Sequence, residues 1–168
     1  MRFGVPEYDR LISGMKAKSV LIYGEAGSGR TRLALMACVN EAMAGGIALY
    51  ACKGTPVIDE SRMPPEAADR IFICSFLSPS EVSNIIEAVK PKLTVVDPVN
   101  AWLEGQIMGS EARALNIALY DISTAAQASG SEIIFVGDVS SSADGIRPRH
   151  FRQVLRYCEA AIELRRKS

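Results

Sequence analysis

Residues 24–31 read GEAGSGRT and directly follow the apolar run SVLIY at positions 19–23. This octet fits the pattern G-x-x-x-x-G-K-[ST], except that Arg30 stands in the place of the lysine. Glycines in such a loop let successive backbone N–H groups turn inward and hold phosphate oxygens, and the helix that follows adds partial positive charge. The stretch therefore predicts a strand, a phosphate-binding loop and a helix. The predicted nucleotide-binding residues are Gly24, Glu25, Ala26, Gly27, Ser28, Gly29, Arg30, Thr31 and Arg32.

Around this stretch, apolar runs rich in β-branched residues alternate with segments of helical period. Strands are predicted at residues 19–23, 47–51, 71–75, 93–96, 133–136 and 160–164. Helical patterns cover residues 31–43, the segment that follows a capping box at 78–81, residues 115–130 and the segment from 151 onward. This alternation predicts an α/β fold, in which a mostly parallel twisted sheet carries helices on both faces.

The composition sets further limits on the class of protein. A length of 168 residues suits one domain over residues 1–168, and the formal net charge of zero means that any nucleic-acid affinity must come from local patches. Since no apolar run approaches the roughly 20 residues that span a bilayer, we expect a cytoplasmic protein without a membrane partner. The cysteines lack Cys-x-x-Cys spacing, which favours free thiols: Cys38, Cys52, Cys74 and Cys158.

A second predicted site lies where Asp97 ends the apolar run at 93–96. In proteins with a phosphate loop, an aspartate at such a strand end and the loop's Ser or Thr hydroxyl hold Mg²⁺ together. We therefore predict that Thr31 and Asp97 share a metal site, and that the ligand is ATP or ADP with Mg²⁺. An aspartate that only forms a turn or caps a helix remains the alternative.

The order of these segments resembles the RecA/RadA superfamily, most closely the short archaeal RadB-like recombinase paralogs, with KaiC-like proteins as the second choice. The resemblance lies in residues 8–14 (YDRLISG), 19–37, 49–54 (LYACKG), 97–102 (DPVNAW), 111–127, 133–139 and 145–165. It covers nearly the whole chain. It implies a single RecA-like core domain whose phosphate loop is a degenerate Walker A motif.

Three positions depart from the pattern of this family. Arg30 replaces the loop lysine, Lys53 stands where the family has the glutamate that activates water, and Asp138 stands where it has the glutamine that senses the γ-phosphate. Hydrolysis needs an acceptor that orients water and charges that stabilise the transferred phosphoryl group. A charged lysine cannot act as that acceptor. The resemblance therefore implies a pseudo-ATPase with weak or absent hydrolysis, and no residue is assigned a catalytic role.

Two arrangements of the loop arginine remain open. A guanidinium is planar and bulkier than an ammonium group, so it does not simply replace the lysine. In the first arrangement, Arg30 pairs with Asp97 or Glu25 and fills the site. In the second, Arg30 and Lys53 clamp a nucleotide that is not cleaved.

The resemblance also implies DNA contact through the segments that follow the strands at 93–96 and 133–136. The first segment, 103–109, has no lysine or arginine, whereas the second is predicted as a polar loop over 140–150 and leads into the densest basic cluster. The predicted nucleic-acid-binding residues are Arg147, Arg149, His150 and Arg152. A second basic cluster contains Arg165, Arg166 and Lys167. Such clusters bind phosphates non-specifically and in a salt-dependent way, unless they are only solvated surface.

The function that the resemblance implies is that of an accessory protein of DNA recombination or repair. Its partner would be a recombinase of the RadA type or another repair protein, and its DNA binding would be non-specific. Two alternatives remain open: an active ATPase that uses arginine in place of lysine, and a protein-interaction module that binds no nucleotide. Because the sequence begins at the core, without the N-terminal helical domain of RadA, we expect a monomer or homodimer instead of a filament.

Overall fold

The computed structural model describes residues 1–54, 63–75, 78–101, 110–142, 145–148 and 150–166, and for 140–142 and 145–148 it describes the backbone alone. The helices in these ranges are α1 Pro6–Met15, α2 Arg30–Met43, α3 Pro65–Ala68, α4 Pro79–Val89, α5 Glu111–Ser129 and α6 Phe151–Leu155. The strands are β1 Ser19–Gly24, β2 Ala48–Cys52, β3 Ile71–Ser75, β4 Leu93–Asp97, β5 Glu132–Ser142, β6 Gly145–Pro148 and β7 Ala160–Leu164.

The strands form one sheet in the order β3-β2-β4-β5-β1-β7, in which all neighbours are parallel, and β6 pairs with β5 in the antiparallel direction. The predicted α/β class with a mostly parallel sheet is therefore confirmed. Each of the six predicted strands is present, with bounds that differ from the prediction mainly at the carboxyl ends.

Helices cover both faces of the sheet, as predicted. Alternate residues of each strand enter different cores: Leu21 packs among residues of α4, α5 and α6, whereas Val20 and Ile22 pack among residues of α1 and α2. Burial on both faces explains why the central strands β1, β2, β4 and β5 read as continuous apolar runs, whereas the edge strands β3 and β7 are partly exposed.

The connections leave adjacent strands toward opposite faces. After β1 the chain passes through α2 on one face, and after β5 it passes through α6 on the other. Since β1 and β5 are neighbours, their carboxyl ends form a topological switch point, which is where open α/β sheets bind their ligands. The loop at 24–29 lies at this point.

The predicted helix ends are confirmed where they carry clear signals. Ser78 and Glu81 form the predicted capping box, with the Ser78 N–H donating to Glu81 Oε2 at 3.1 Å and the Glu81 N–H donating to Ser78 Oγ at 3.4 Å. Helix α5 ends at Gly130, whose φ of +69° is the left-handed conformation that favours glycine. Phe151 packs edge-to-face on Tyr23 with ring centroids 5.2 Å apart, as a core residue of α6.

The segment at 140–150 differs from the prediction of a polar loop. Strand β5 continues to Ser142, and Ser140 to Ser142 pair with residues of β6. The prediction was wrong because these serines pair with β6, a partner strand that no apolar alternation in the sequence indicates. Among the described residues, no helix is long and apolar enough to cross a membrane.

Candidate phosphate-binding site

The glycine-rich loop joins the carboxyl end of β1 to the first turn of α2. The Ser28 N–H donates to the Glu25 carbonyl at 3.0 Å, which closes a turn within the loop, and Gly29 precedes the helix with φ +94°. Glu25 and Gly27 are exposed. Gly29 is the N-cap residue of the 14-residue helix α2, and it has no side chain that could accept a hydrogen bond. The backbone N–H groups of the first helical turn therefore have no side-chain acceptor at the N-cap.

Two of the loop glycines are required by the geometry around them. A Cβ atom on Gly24 would lie 2.2 Å from the Leu164 carbonyl oxygen and 2.7 Å from Ser28 Oγ. Gly27 has φ +76°, and a Cβ there would lie 2.5 Å from a guanidinium nitrogen of Arg166. Gly24 is therefore required for space, because its nearest neighbour is a backbone oxygen, whereas Gly27 is required for its backbone conformation, because the exposed Arg166 side chain could move aside.

The hydroxyl of Ser28 points into the loop without a partner. Its Oγ is buried and, with Ser123 Oγ, is one of the buried side-chain oxygens of the described residues that make no hydrogen bond. A buried hydroxyl that lacks a partner costs free energy, and native structures rarely leave one without a reason. A phosphate oxygen held in this loop would supply an acceptor, so the loop fits the anion that its sequence pattern predicts.

The structure brings together the predicted metal-binding pair. Thr31 Oγ1 donates a hydrogen bond to Asp97 Oδ2 at 2.8 Å, although the two residues lie 66 positions apart. Both groups are oxygen ligands of the kind that Mg²⁺ prefers. Among the described residues, no group of three or more His, Cys, Asp or Glu side chains could hold a metal ion. A Mg²⁺ ion here would therefore complete its shell with water and phosphate oxygens, which is usual for this metal.

Tyr50 is a site residue that the sequence reasoning did not assign. Its hydroxyl donates to the same Oδ2 atom of Asp97, and the side chain is only 1% exposed. Burial, followed by the neighbouring negative charge of Asp97, raises the pKa of Tyr50, so the hydroxyl keeps its proton and remains a donor. The contact depends on β2 lying beside β4, with Cys52 opposite Asp97, and no local sequence signal gives that register.

Arg30 points away from the loop interior and toward the end of β5. One guanidinium nitrogen donates to the carbonyl of Gly137 and to Oδ1 of Asp138, the latter at 2.7 Å. The first arrangement predicted from the sequence paired Arg30 with Asp97 or Glu25. In the structure its partner is Asp138 instead. The reason is topological, because Gly24 pairs with Asp138 in the sheet and places that carboxylate next to the start of α2.

The third departing position, Lys53, lies at the same edge of the sheet. It is exposed and follows the last residue of β2, and its backbone N–H donates to the Asp97 carbonyl at 3.3 Å. Positions 30, 53 and 138 therefore all lie around the Thr31 and Asp97 pair. The predicted site residues that surround the phosphate loop form one continuous region.

The predicted nucleic-acid-binding residues are placed only in part. The backbone of Arg147 lies on β6 opposite Ser140, and Arg152 is exposed on α6. The His150 ring nitrogen Nε2 lies 3.3 Å from Glu111 Oε2, so a carboxylate lies within hydrogen-bond distance of the imidazole. Arg149, the segment at 103–109 and Lys167 lie outside the described residues.

No protein-family model matches the chain, and no curated protein matches its sequence.

Proposed function

We propose that this protein binds the phosphate chain of ATP or ADP, together with Mg²⁺, at the loop of residues 24–31. One observation carries the proposal: the glycine-rich loop lies at the switch point of the sheet, and the Thr31 hydroxyl that follows it is hydrogen-bonded to Asp97 at 2.8 Å. Backbone N–H groups and a helix N-terminus would hold the phosphates, and the hydroxyl and the carboxylate would hold the metal ion.

The same geometry supports weak or absent hydrolysis. Cleavage requires an acceptor to orient the attacking water, and position 53 offers an ammonium group with no acceptor capacity. In addition, the guanidinium of Arg30 donates its hydrogen bonds to Gly137 and Asp138 of β5, which lie outside the phosphate loop. Loss of a positioned acid or base typically costs about 10²–10⁴-fold in rate.

At the level of biology, we propose an accessory role in DNA recombination or repair, similar to that of RadB-like paralogs. This proposal is supported by the order of the sequence segments. It includes the assignment of the observed α/β fold to the RecA-like type. A RadA-type recombinase or another repair protein would be the partner. DNA would be bound non-specifically through the basic residues around α6, by a monomer or homodimer in the cytoplasm.

Thermal melting tests nucleotide binding directly. A ligand that binds only the folded state raises the melting temperature in proportion to the logarithm of its concentration above its dissociation constant. We expect an upward shift with Mg²⁺-ATP, Mg²⁺-ADP and a non-hydrolysable analogue, and a smaller shift when EDTA removes the metal. No shift at millimolar nucleotide would reject the proposal and favour the interaction module that binds no nucleotide.

A double variant separates the pseudo-ATPase from an active enzyme. Arg30→Lys combined with Lys53→Glu restores the residues that the family pattern has at these positions. We expect phosphate release from ATP to rise above the wild-type rate only in the double variant, with each single variant remaining low. A wild-type rate equal to or above that of the double variant would instead establish an active ATPase that uses arginine in the loop.

A further inference from the structure

The chain passes close to the phosphate loop a second time, after β7. Strand β7 is the neighbour of β1, and Leu164 pairs with Gly24 at the base of the loop. Two residues later, the guanidinium of Arg166 lies against Gly27. A Cβ atom on that glycine would lie 2.5 Å from one terminal nitrogen of Arg166, 3.3 Å from Cζ and 3.4 Å from Nε, so the N–H-bearing edge of the guanidinium lies against this part of the loop.

The arginines around the loop differ in whether they form ion pairs. Arg30 is tied to Asp138, and Arg165 is tied to Glu163 through bonds of 2.9 and 3.2 Å. Arg166 makes no hydrogen bond or ion pair with any residue in the part of the chain that the structure describes. Its guanidinium is exposed and has all of its donors available at the loop.

We infer that Arg166 supplies the phosphate-contacting cation of the loop at 24–31, in place of the residue at position 30. The inference rests on the proposed nucleotide binding, and the ligand is the terminal phosphate of a nucleoside diphosphate or triphosphate. A guanidinium binds two phosphate oxygens at once through its planar fork of donors. Because Gly27 has no side chain, the fork can approach the loop closely, which a side chain at position 27 would prevent.

Isothermal titration with Mg²⁺-ADP and Mg²⁺-ATP tests this assignment in the wild type, Arg166→Gln, Arg166→Lys and Arg165→Gln. Loss of a charge-assisted contact weakens binding by roughly ten- to hundredfold, which we expect for Arg166→Gln. Arg166→Lys keeps the positive charge but lacks the planar guanidinium. Its affinity for nucleotide should therefore lie between that of the wild type and that of Arg166→Gln. Arg165→Gln removes the same charge one residue away and should retain wild-type affinity within about twofold, because Arg165 faces Glu163.

The outcomes separate the inference from the proposed function. Nucleotide binding by the wild type with unchanged affinity in Arg166→Gln would overturn the role of Arg166 and leave the proposed function standing. Equal losses in Arg166→Gln and Arg165→Gln would also overturn it, since the effect would then be general electrostatics. Absence of binding by the wild type would reject both. Unchanged melting temperatures of the variants without nucleotide would show that they fold, as expected for an exposed side chain.

Discussion

Arg30, the first residue of α2, and Asp138 of β5 form an ion pair at 2.7 Å, and Asp138 pairs in the sheet with Gly24 at the carboxyl end of β1. Arg30 and Asp138 both stand at positions at which the sequence differs from the residues expected from a RecA/RadA resemblance, and in the structure the two side chains meet in one interaction. The same guanidinium nitrogen donates to the buried carbonyl of Gly137. The ion pair therefore joins the start of α2 to β5, beside the glycine-rich loop.

The first prediction concerns the contribution of the Arg30–Asp138 ion pair to the free energy of unfolding. Arg30 is 14% exposed and Asp138 is 52% exposed, so solvent screens the pair in part. We expect Asp138→Ala to lower the free energy of unfolding by about 1 kcal/mol, and Arg30→Met to lower it by about 1–3 kcal/mol because the Gly137 carbonyl loses its donor. A double-mutant cycle measured by urea unfolding should give a coupling of about 0.5–1 kcal/mol.

The control for this cycle is Asp121→Ala on the exposed side of α5. It removes the same charge from a site away from Arg30, and its coupling to Arg30→Met should be close to zero. A coupling near zero for Asp138 as well would mean that the ion pair contributes nothing to the fold.

The second prediction concerns the support of Asp97. Tyr50→Phe removes one of the two donors to Asp97 Oδ2 and leaves the buried ring in place. We expect the free energy of unfolding to fall by about 1–2 kcal/mol, because a partly buried carboxylate oxygen loses a hydrogen bond from a buried hydroxyl. The Mg²⁺ dependence of nucleotide binding should weaken too, since the carboxylate is held less firmly. Urea unfolding and titration with and without Mg²⁺ measure the two effects.

Tyr120→Phe serves as the matched control, because the Tyr120 side chain is 62% exposed on α5. It should leave both quantities unchanged. Equal stability and equal Mg²⁺ dependence in Tyr50→Phe and the wild type would show that the tyrosine hydroxyl does not position Asp97.

The third prediction is a loss of stability in alkaline solution. Burial, followed by the nearby charge of Glu159, raises the pKa of Cys158 to about 12, and burial with the neighbouring Cys74 raises the pKa of Cys52 to about 11. In the unfolded chain these thiols ionise near their ordinary pKa of about 8.5. The unfolded state therefore releases protons that the folded state keeps. Stability is complete below that pH and falls as the pH rises toward the folded-state pKa values.

Urea unfolding between pH 8 and pH 11 measures this slope, which should amount to about 1.4 kcal/mol per pH unit for each thiol that ionises only in the unfolded state. Cys158→Ala should reduce the slope by about one such increment. Identical slopes in the variant and the wild type would mean that Cys158 titrates alike in both states.

Features that depend on local sequence motifs were predictable, whereas contacts that depend on strand order and register were not. The loop, the helix after it and the pairing of Thr31 with Asp97 were predictable, because they depend on a motif and on strands whose carboxyl ends share one edge. The partner of Arg30 depends on which strand lies beside β1, and that order is fixed by long-range packing. The contact of Tyr50 with Asp97 depends in the same way on the register of β2 against β4.

Local structure was missed where its signals were polar or mixed. Helix α1 begins with Pro6 and carries Glu7 and Asp9 in its first turn, which are ordinary helix-start signals. The pairing of Ser140 with Arg147 in the β5 and β6 hairpin had no apolar pattern to reveal it.

The last prediction concerns DNA. Arg152 and Arg156 are exposed, four residues apart at α6, so both can face the same phosphate backbone. We expect the wild type to bind single-stranded DNA in low salt, and Arg152→Gln with Arg156→Gln to weaken this binding and lower the salt slope by about 1–2. Fluorescence anisotropy over a series of salt concentrations measures both. Arg10→Gln with Arg113→Gln removes the same charge from exposed positions on α1 and α5 and should leave the slope unchanged. Equal slopes for both double variants would refute a DNA contact at α6, because only total charge would then matter.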